Sequence, residues 1–331
     1  MSDNSKISWT SATWNPVTGC DSVSPGCDHC YARTLAERFR DTPGHYFERG
    51  FDVVLRPDKL GEPFRWRKPR RIFVNSMSDL FHSGVPDGFI VRIFAVMALS
   101  PQHTFQVLTK RHARMCSLLN SETFRQGVAK AAVAMAEATP GPPYLPEHLV
   151  VTYGKSWWPL PNVWMGVSVE DQHWAGLRVP ALLETPAAVR WLSCEPLLGE
   201  VDLEAFLWLV GSSSAGPFYD CLGRYRGGGG VGGQMITSVP SRDIGWIVAG
   251  GESGPGARLM QADWARLLRD QAAEAGVPFF FKQTGSVLAR RLGIKSKGEG
   301  FDALPAEFQV REYPPVADVS TPAASTRGGT R

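Results

Sequence analysis

Three things are scarce in this 331-residue chain: long apolar runs, an excess of one charge, and internal repetition. No uninterrupted hydrophobic stretch approaches the ~20 residues a membrane-spanning helix needs, so no membrane partner is expected. The segment from Met1 to Trp14 is polar and lacks the apolar core of a secretory leader. The chain therefore reads as cytoplasmic, in a compartment that keeps thiols reduced. Thirty-five Lys and Arg against 32 Asp and Glu leave a formal charge of +3. Whole-chain electrostatics thus single out neither nucleic acid nor a lipid surface, and local clusters must carry any such argument. No repeat of solenoid length is visible. A hydrophobic content of 43% is enough for a sizeable core and excludes global disorder.

What is present is a recurring short β-rich run. Ile72–Asn75, Phe105–Thr109, Val163–Ser168, Val189–Ser193, Trp246–Ala249 and Val277–Phe281 are near-continuously apolar, as suits strands buried on both faces of a parallel sheet. Helical stretches between them include Gly88 to Leu99 and Ala262 to Ala275, the latter with Asp263 as expected cap and Gly276 as stop. This alternation predicts an α/β fold, a barrel or a doubly wound sheet. A polar group follows each run: Ser76-Met77-Ser78-Asp79, Lys110-Arg111, Glu170-Asp171, Cys194-Glu195, Gly250-Gly251-Glu252 and Lys282-Gln283. Carboxyl ends of parallel strands face the ligand site, so these groups are expected to share one rim. Residues 1–290 are read as the barrel, with insertions at 139–161 and 211–240. Residues 291–331 are read as an extension, disordered from about residue 314.

Three of the six cysteines crowd into one loop, Cys20-x6-Cys27-x2-Cys30. Pro25 and glycines before two of them allow a close wrap around a compact centre. Thiolates suit an iron–sulfur cluster or zinc. Three ligands on a four-iron cluster leave one iron open, whereas a closed structural zinc needs four. Candidates for a fourth ligand are His29 and His45, then Cys116, Cys194 and Cys221. His29 stands between two ligands and is poorly placed to reach the same metal, and ordinary free thiols are the third alternative.

Asn15-Pro16, Gly19-Cys20 and Gly26-Cys27-Asp28-His29-Cys30-Tyr31-Ala32-Arg33 resemble the radical S-adenosylmethionine proteins, especially the spore-photoproduct-lyase-like branch. Trp14-Asn15-Pro16, Gly250-Gly251-Glu252-Ser253-Gly254 and Pro278-Phe279-Phe280-Phe281-Lys282-Gln283 further resemble a phage and bacterial three-cysteine-motif family. The first cysteine gap is three residues longer than the usual radical-family spacing, and Gly250-Gly251-Glu252 follows a later strand than that family's Gly-Gly-Glu.

The resemblance implies a partial, TIM-like β/α barrel with a 4Fe-4S cluster on Cys20, Cys27 and Cys30. It also implies that S-adenosyl-L-methionine is cleaved on the open iron to start radical chemistry. Ser76, Ser78 and Asp79 would meet the amino group of the adenosylmethionine, and Ser168 and Glu170 its ribose. A buried hydroxyl bonded to backbone is the plain alternative for Ser168. Lys110 and Arg111 would bind phosphate or carboxylate, unless they are a solvated pair at a helix start. Lys282, with Glu252 and Glu195, is the candidate catalytic group, or else an ion-pair partner of one of them. Implied partners are an electron donor such as flavodoxin or ferredoxin and a dedicated companion protein. Nucleic acid is a candidate substrate through Arg65-Trp66-Arg67-Lys68-Pro69-Arg70-Arg71, a basic run around an aromatic.

Two rival functions remain open from the residues alone. One is a zinc-stapled nucleic-acid-binding protein without catalysis. The other is a barrel hydrolase using Glu170, Glu195 and Glu252, since glycosidases flank the scissile bond with carboxylates. Cys116, Cys194 and Cys221 are read as core or loop thiols.

Overall fold

The apolar runs become neighbouring strands because each has one face for an outer helix layer and one for a barrel interior. The computed structural model describes residues 5–138, 157–205, 207–209, 218–220, 222, 225–227 and 243–315. In chain order the elements are β1 (Ala12–Trp14), β2 (Val17–Thr18), α1 (Tyr31–Glu37), β3 (Val54–Leu55), β4 (Arg71–Val74), α2 (Asp87–Ala98), β5 (Thr104–Thr109), α3 (His112–Asn120) and α4 (Glu122–Ala138). They continue with β6 (Val163–Ser168), α5 (Gln172–Leu183), β7 (Val189–Cys194), β8 (Leu207–Leu209), β9 (Phe218–Asp220), β10 (Tyr225–Gly227), β11 (Ile244–Gly250), α6 (Ala262–Ala275), β12 (Phe279–Gln283) and α7 (Gly285–Arg291).

Seven strands form one parallel sheet in the order β1-β4-β5-β6-β7-β11-β12. The order never reverses, as it would in a doubly wound sheet, so the fold is a mixed α/β partial barrel. β2 and β3 form a separate antiparallel pair, and β10-β9-β8 a three-stranded antiparallel sheet. Of these, β9 and β10 lie in the expected insertion at 211–240. Most of 211–240, all of 139–156, Cys221 and the tail beyond residue 315 lie outside the described residues.

Alternation along each strand sorts the core into two. Ile72 and Val74, Val163 and Met165, Ile247 and Ala249, and Phe279 and Phe281 belong to the outer core, with Ile90, Ile93, Phe94 and Leu268 from the helices. Phe73, Trp164, Trp191, Trp246, Val248 and Phe280 point inward and pack with Trp9. The inner layer is thus mostly aromatic rather than the branched aliphatics usual in such barrels. A Cβ on Gly166 would run into the Trp191 ring, which explains the glycine in the middle of β6.

Differences from the sequence expectation are local. Val277 and Pro278 precede β12, whose strand runs on through Lys282 and Gln283. α6 spans the expected residues and Gly276 ends it with φ +67°. The residue before α6 is Gln261, however, and Asp263 lies in the first turn paired with Arg266. Trp157, Trp158 and Leu160, at the end of the expected insertion, are buried in the outer core. The basic run 65–71 leads into β4, so it lies at the amino-terminal end of the strands, opposite the expected rim.

The extension beyond residue 290 is partly structural. Phe281 donates its N–H to Val310 at 2.8 Å and Glu312 donates to Phe279 at 2.9 Å, so residues 310–312 cover the open edge of β12. Tyr313 then stacks on Trp246 and lies under the Arg71 guanidinium, tying β11 to the start of β4. Its hydroxyl donates to the Ser8 carbonyl. Replacing the half-buried Tyr313 by alanine is expected to cost about 2 kcal/mol, less than loss of a fully buried ring. Urea unfolding checks this; an unchanged midpoint would show that the strap contributes nothing.

Candidate functional site

Counting by two along the inward face of a strand leads from the aromatic layer to a polar one. Phe73 leads to Asn75, Trp164 through Gly166 to Ser168, Trp191 through Ser193 to Glu195, and Phe280 to Lys282. All four end residues line a cavity of about 270 Å³ at the carboxyl ends of the strands. Cys20, Cys27 and Cys30 line the same cavity, as do Ser76, Ser78, Asp79, Lys110 and Glu252. Trp9 and Phe73 form part of its apolar floor. Of the residues singled out from sequence, Glu170 and Arg111 are not part of its lining.

The first cysteine is positioned by an interlock of two segments. Gly19 adopts φ +87°, and a Cβ there would overlap the Asp52 carbonyl, so only glycine fits. Gly19 N–H donates to Met77 and Ser78 Oγ donates to the Val17 carbonyl at 2.9 Å. Asn15 Oδ1 accepts from Ser76 Oγ and from Met77 N–H. The Ser76 and Ser78 hydroxyls therefore donate to protein and keep lone pairs as acceptors. Asp79 accepts from Thr109 Oγ1 at 2.7 Å, from Lys110 N–H at 2.9 Å and from Phe81 N–H, which staples this loop to the end of β5.

The rest of the cysteine loop rests on two buried carboxylates. Glu170 is fully buried, accepts from Ser24 Oγ at 2.8 Å and pairs with the equally buried Arg178 at 2.7 Å. A Cβ on Gly26 would overlap the Glu170 side chain, so the glycine before Cys27 is needed for close approach. Glu252 accepts from the Arg258 side chain at 2.7 and 3.0 Å, and His29 Nδ1 lies 3.1 Å away. Arg258 reaches on to the Pro25 carbonyl at 2.7 Å and to Asp28 at 3.1 Å. A third tie joins His82 Nε2 to Asp21 at 2.8 Å.

A family model described as "Protein of unknown function (DUF5131)" matches residues 4–308. The chain belongs to the DUF5131 family. No curated protein and no solved structure matches it.

The three loop cysteines of this DUF5131 chain are half-buried. Ala32, Ala36, Phe51 and Met77 pack against Cys20 and Cys30 and form an apolar sheath. Burial, aided by Asp79, pushes the Cys20 thiol up to about 11, while neighbouring Arg111 pulls it down. A metal binding there would have to displace that proton. No fourth thiol stands with these three among the described residues. Cys194 is fully buried, its pKa driven up by desolvation, and Cys116 lies in α3 beside Asn120. Among the described residues no group of three His, Cys, Asp or Glu side chains gathers around a point suited to a single ion.

Polar groups facing the cavity are arranged in pairs. Lys282 Nζ lies 2.8 Å from Glu195 Oε1, while Trp9 Nε1 and Ser193 Oγ donate to the other oxygen at 3.3 and 3.4 Å. Lys282 thus pairs with Glu195 and not Glu252. Lys110 Nζ donates to Ser168 Oγ at 3.0 Å, so the Ser168 hydroxyl meets a side chain rather than backbone. One wall residue was not singled out from sequence. Asn75 holds φ +60°, is buried, and has no partner for its Nδ2 donor. An asparagine directly after a strand is a visible signal, since asparagine tolerates this left-handed conformation.

Glu170→Gln leaves the buried Arg178 charge uncompensated and is expected to cost about 3–5 kcal/mol in chemical unfolding; a loss below about 1 kcal/mol would mean that the pair is not an anchor. Burial raises the Glu252 pKa, but hydrogen bonds from Arg258 and His29 outweigh it and bring the carboxyl down to about 2. A depressed folded-state pKa adds stability above the ordinary carboxylate range and loses it as pH falls towards the folded value. The stability gap between the wild type and Glu252→Gln should therefore be constant above about pH 5, on the order of 3 kcal/mol, and shrink between about pH 4.5 and 2. A pH-independent gap in unfolding free energy would contradict this assignment.

Proposed function

We propose that this chain is an iron–sulfur enzyme of the radical S-adenosylmethionine type. Cys20, Cys27 and Cys30 hold a 4Fe-4S cluster, and the adjoining cavity receives S-adenosyl-L-methionine together with substrate. One observation carries this reading: three thiols from a single anchored loop share a cavity with the carboxyl ends of a parallel partial barrel, and no fourth thiol joins them among the described residues.

The donor set fits such a cluster in two respects. Thiolates on a four-iron cluster each hold a different iron, so they surround a volume instead of converging on one point, as ligands of structural zinc do. The apolar sheath on Cys20 and Cys30 supplies the low-dielectric surroundings that tune such centres. When bound, the cluster supplies a reducing electron and an open iron that chelates the sulfonium cofactor, whose cleavage starts radical chemistry.

The protein's own part is to bind, orient and shield. Asn75 offers an unspent N–H donor to a ligand oxygen, and Ser76 and Ser78, whose oxygens keep acceptor capacity, line the same cavity. Lys282 with Glu195, and Lys110 with Ser168, present charged and hydroxyl groups to substrate. Trp9 and Phe73 close the floor against water. The implied partner is a small electron donor such as flavodoxin or ferredoxin. Among the described residues no helix is long and apolar enough to cross a membrane.

The hydrolase alternative gains little from this geometry. Glu170 and Glu252 are each committed to an arginine, Glu195 is paired with Lys282, and the Glu252 pKa is depressed where a general acid needs it raised.

Anaerobic reconstitution with iron and sulfide is the test. It should give a brown protein with about four irons and four sulfides per chain, and Cys27→Ala should remain largely colourless. Reduction in the presence of adenosylmethionine should release 5′-deoxyadenosine. A colourless product carrying one zinc per chain would overturn the proposal.

A further inference from the structure

The loop that carries Glu252 has a second side. Beyond Ser253 the surface dips into another pocket, lined by Ser253, Ser286, Arg290, Ser296 and Lys297 among others. Ser253 lines both hollows, so the second pocket opens beside the central cavity. It is built by the segment that follows β12, at the same end of the barrel as the cysteines.

The charge of this segment is lopsided. Between Gly285 and Gly300 stand Arg290, Arg291, Lys295 and Lys297 against a single carboxylate, Glu299, which lies 2.8 Å from Lys297. Arg290, Arg291 and Lys295 are exposed and have no ion-pair partner among the described residues. Some arginines elsewhere are neutralised, as where Arg40 meets Glu37, Arg114 meets Asp87, Arg125 meets Glu122 and Arg266 meets Glu307, whereas others such as Arg38, Arg49, Arg67 and Arg92 are exposed without an ion pair among the described residues; what sets Arg290 apart is that it lines a pocket. Three adjacent cations left without counter-charge create a local positive potential that attracts an anion from outside.

The segment is also held in shape. Gly285 N–H donates to Lys297, Thr284 N–H to Gly298 and Ile294 N–H to Ala289, which folds residues 293–298 back onto α7. Ser286 Oγ accepts from Gly254 N–H at 3.1 Å and keeps its own hydrogen for another acceptor. The unpaired guanidinium of Arg290, the Lys297 ammonium that also meets Glu299, and three serine hydroxyls around one hollow are groups that bind phosphate oxygens, with Arg291 and Lys295 adding charge nearby. The run 65–71 has a different situation. Arg70 lies over Trp66, Arg71 lies over Tyr313, and the run sits at the far end of the strands.

We propose that Arg290 and Lys297, with Ser253 and Ser286, form a phosphate-binding platform beside the cavity and that the substrate is a phosphorylated compound of nucleotide type. The phosphate rests on the platform while the remainder of the molecule enters the cavity past Ser253. The platform's binding chemistry stands alone; its part in substrate selection rests on the cavity being the reaction chamber. The phosphate belongs either to a free nucleotide or to a nucleic-acid strand.

The test uses the full chain and needs no iron, adenosylmethionine or turnover. A fluorescently labelled single-stranded oligonucleotide is titrated by anisotropy at two salt concentrations, with a nucleoside monophosphate and an unlabelled strand as competitors. Arg290→Glu with Lys297→Glu should weaken binding by about tenfold or more and make the salt dependence shallower by about two. Arg290→Gln, which keeps an exposed polar side chain, is the milder variant and should lose about threefold. Arg67→Glu with Lys68→Glu should bind like the wild type. Competition by the monophosphate assigns the platform to a free nucleotide; competition by the strand alone assigns it to nucleic acid, and either supports the proposal. Absence of binding to every probe at low salt, or an equal loss in the Arg67/Lys68 variant, overturns it. Failure here leaves the cluster reading intact, and a colourless reconstitution leaves this binding intact.

Discussion

Two buried carboxylates, Glu170 and Glu252, hold the cysteine loop against the barrel, and the rest of the site follows from them. Apart from one short 3-10 turn at Pro25–Cys27, the eleven-residue loop with three thiols has no regular hydrogen-bond ladder of its own to fix their positions. Glu170 receives Ser24 on one carboxylate oxygen and Arg178 on the other, and Glu252 gathers His29 and Arg258. Burying such charges is expensive, and it is tolerated because each has an arginine close by and further hydrogen bonds. Removing either partner strands a charge, so the loop cannot drift without a large energetic cost. Side chains held by committed neighbours of this kind are oriented by the fold itself.

The second constraint is the two-residue period of the strands. It places aromatics in the lower interior layer and Asn75, Ser168, Glu195 and Lys282 above them, facing the thiols. Because the aromatic layer is filled, the cavity is confined to one end of the barrel. Tyr313 and residues 310–312 seal the other end and the open edge.

Much of this was legible in the residues alone. Uninterrupted apolar runs marked the strands, since both faces are buried, and the polar group after each run marked the rim. Ser76, Lys110, Ser168, Glu195, Glu252 and Lys282 do share one cavity with the three cysteines. What escaped was pairing at a distance. Nothing local to Glu170 says that its partners are Ser24 and Arg178, or that Asp79 is spent on Thr109 and Lys110. The basic run 65–71 drew attention by composition, yet residues that precede a strand belong to the end away from the ligand site. The scattered cations of 290–297 are less dense in sequence and lie at the end of the strands where the cavity opens. Short elements such as α1 and α7 carry too few turns to show a period.

The anchors of the cysteine loop are distant along the chain. Ser24 waits 146 residues for Glu170, His29 waits 223 for Glu252, and Asp28 waits 230 for Arg258. A ribosome therefore releases the three thiols long before the groups that hold them exist. Through most of translation the loop is a tethered, unshaped peptide, open to any soft metal or oxidant it meets. Its final shape is a late event, set when the eleventh strand and the arginine beyond it have emerged.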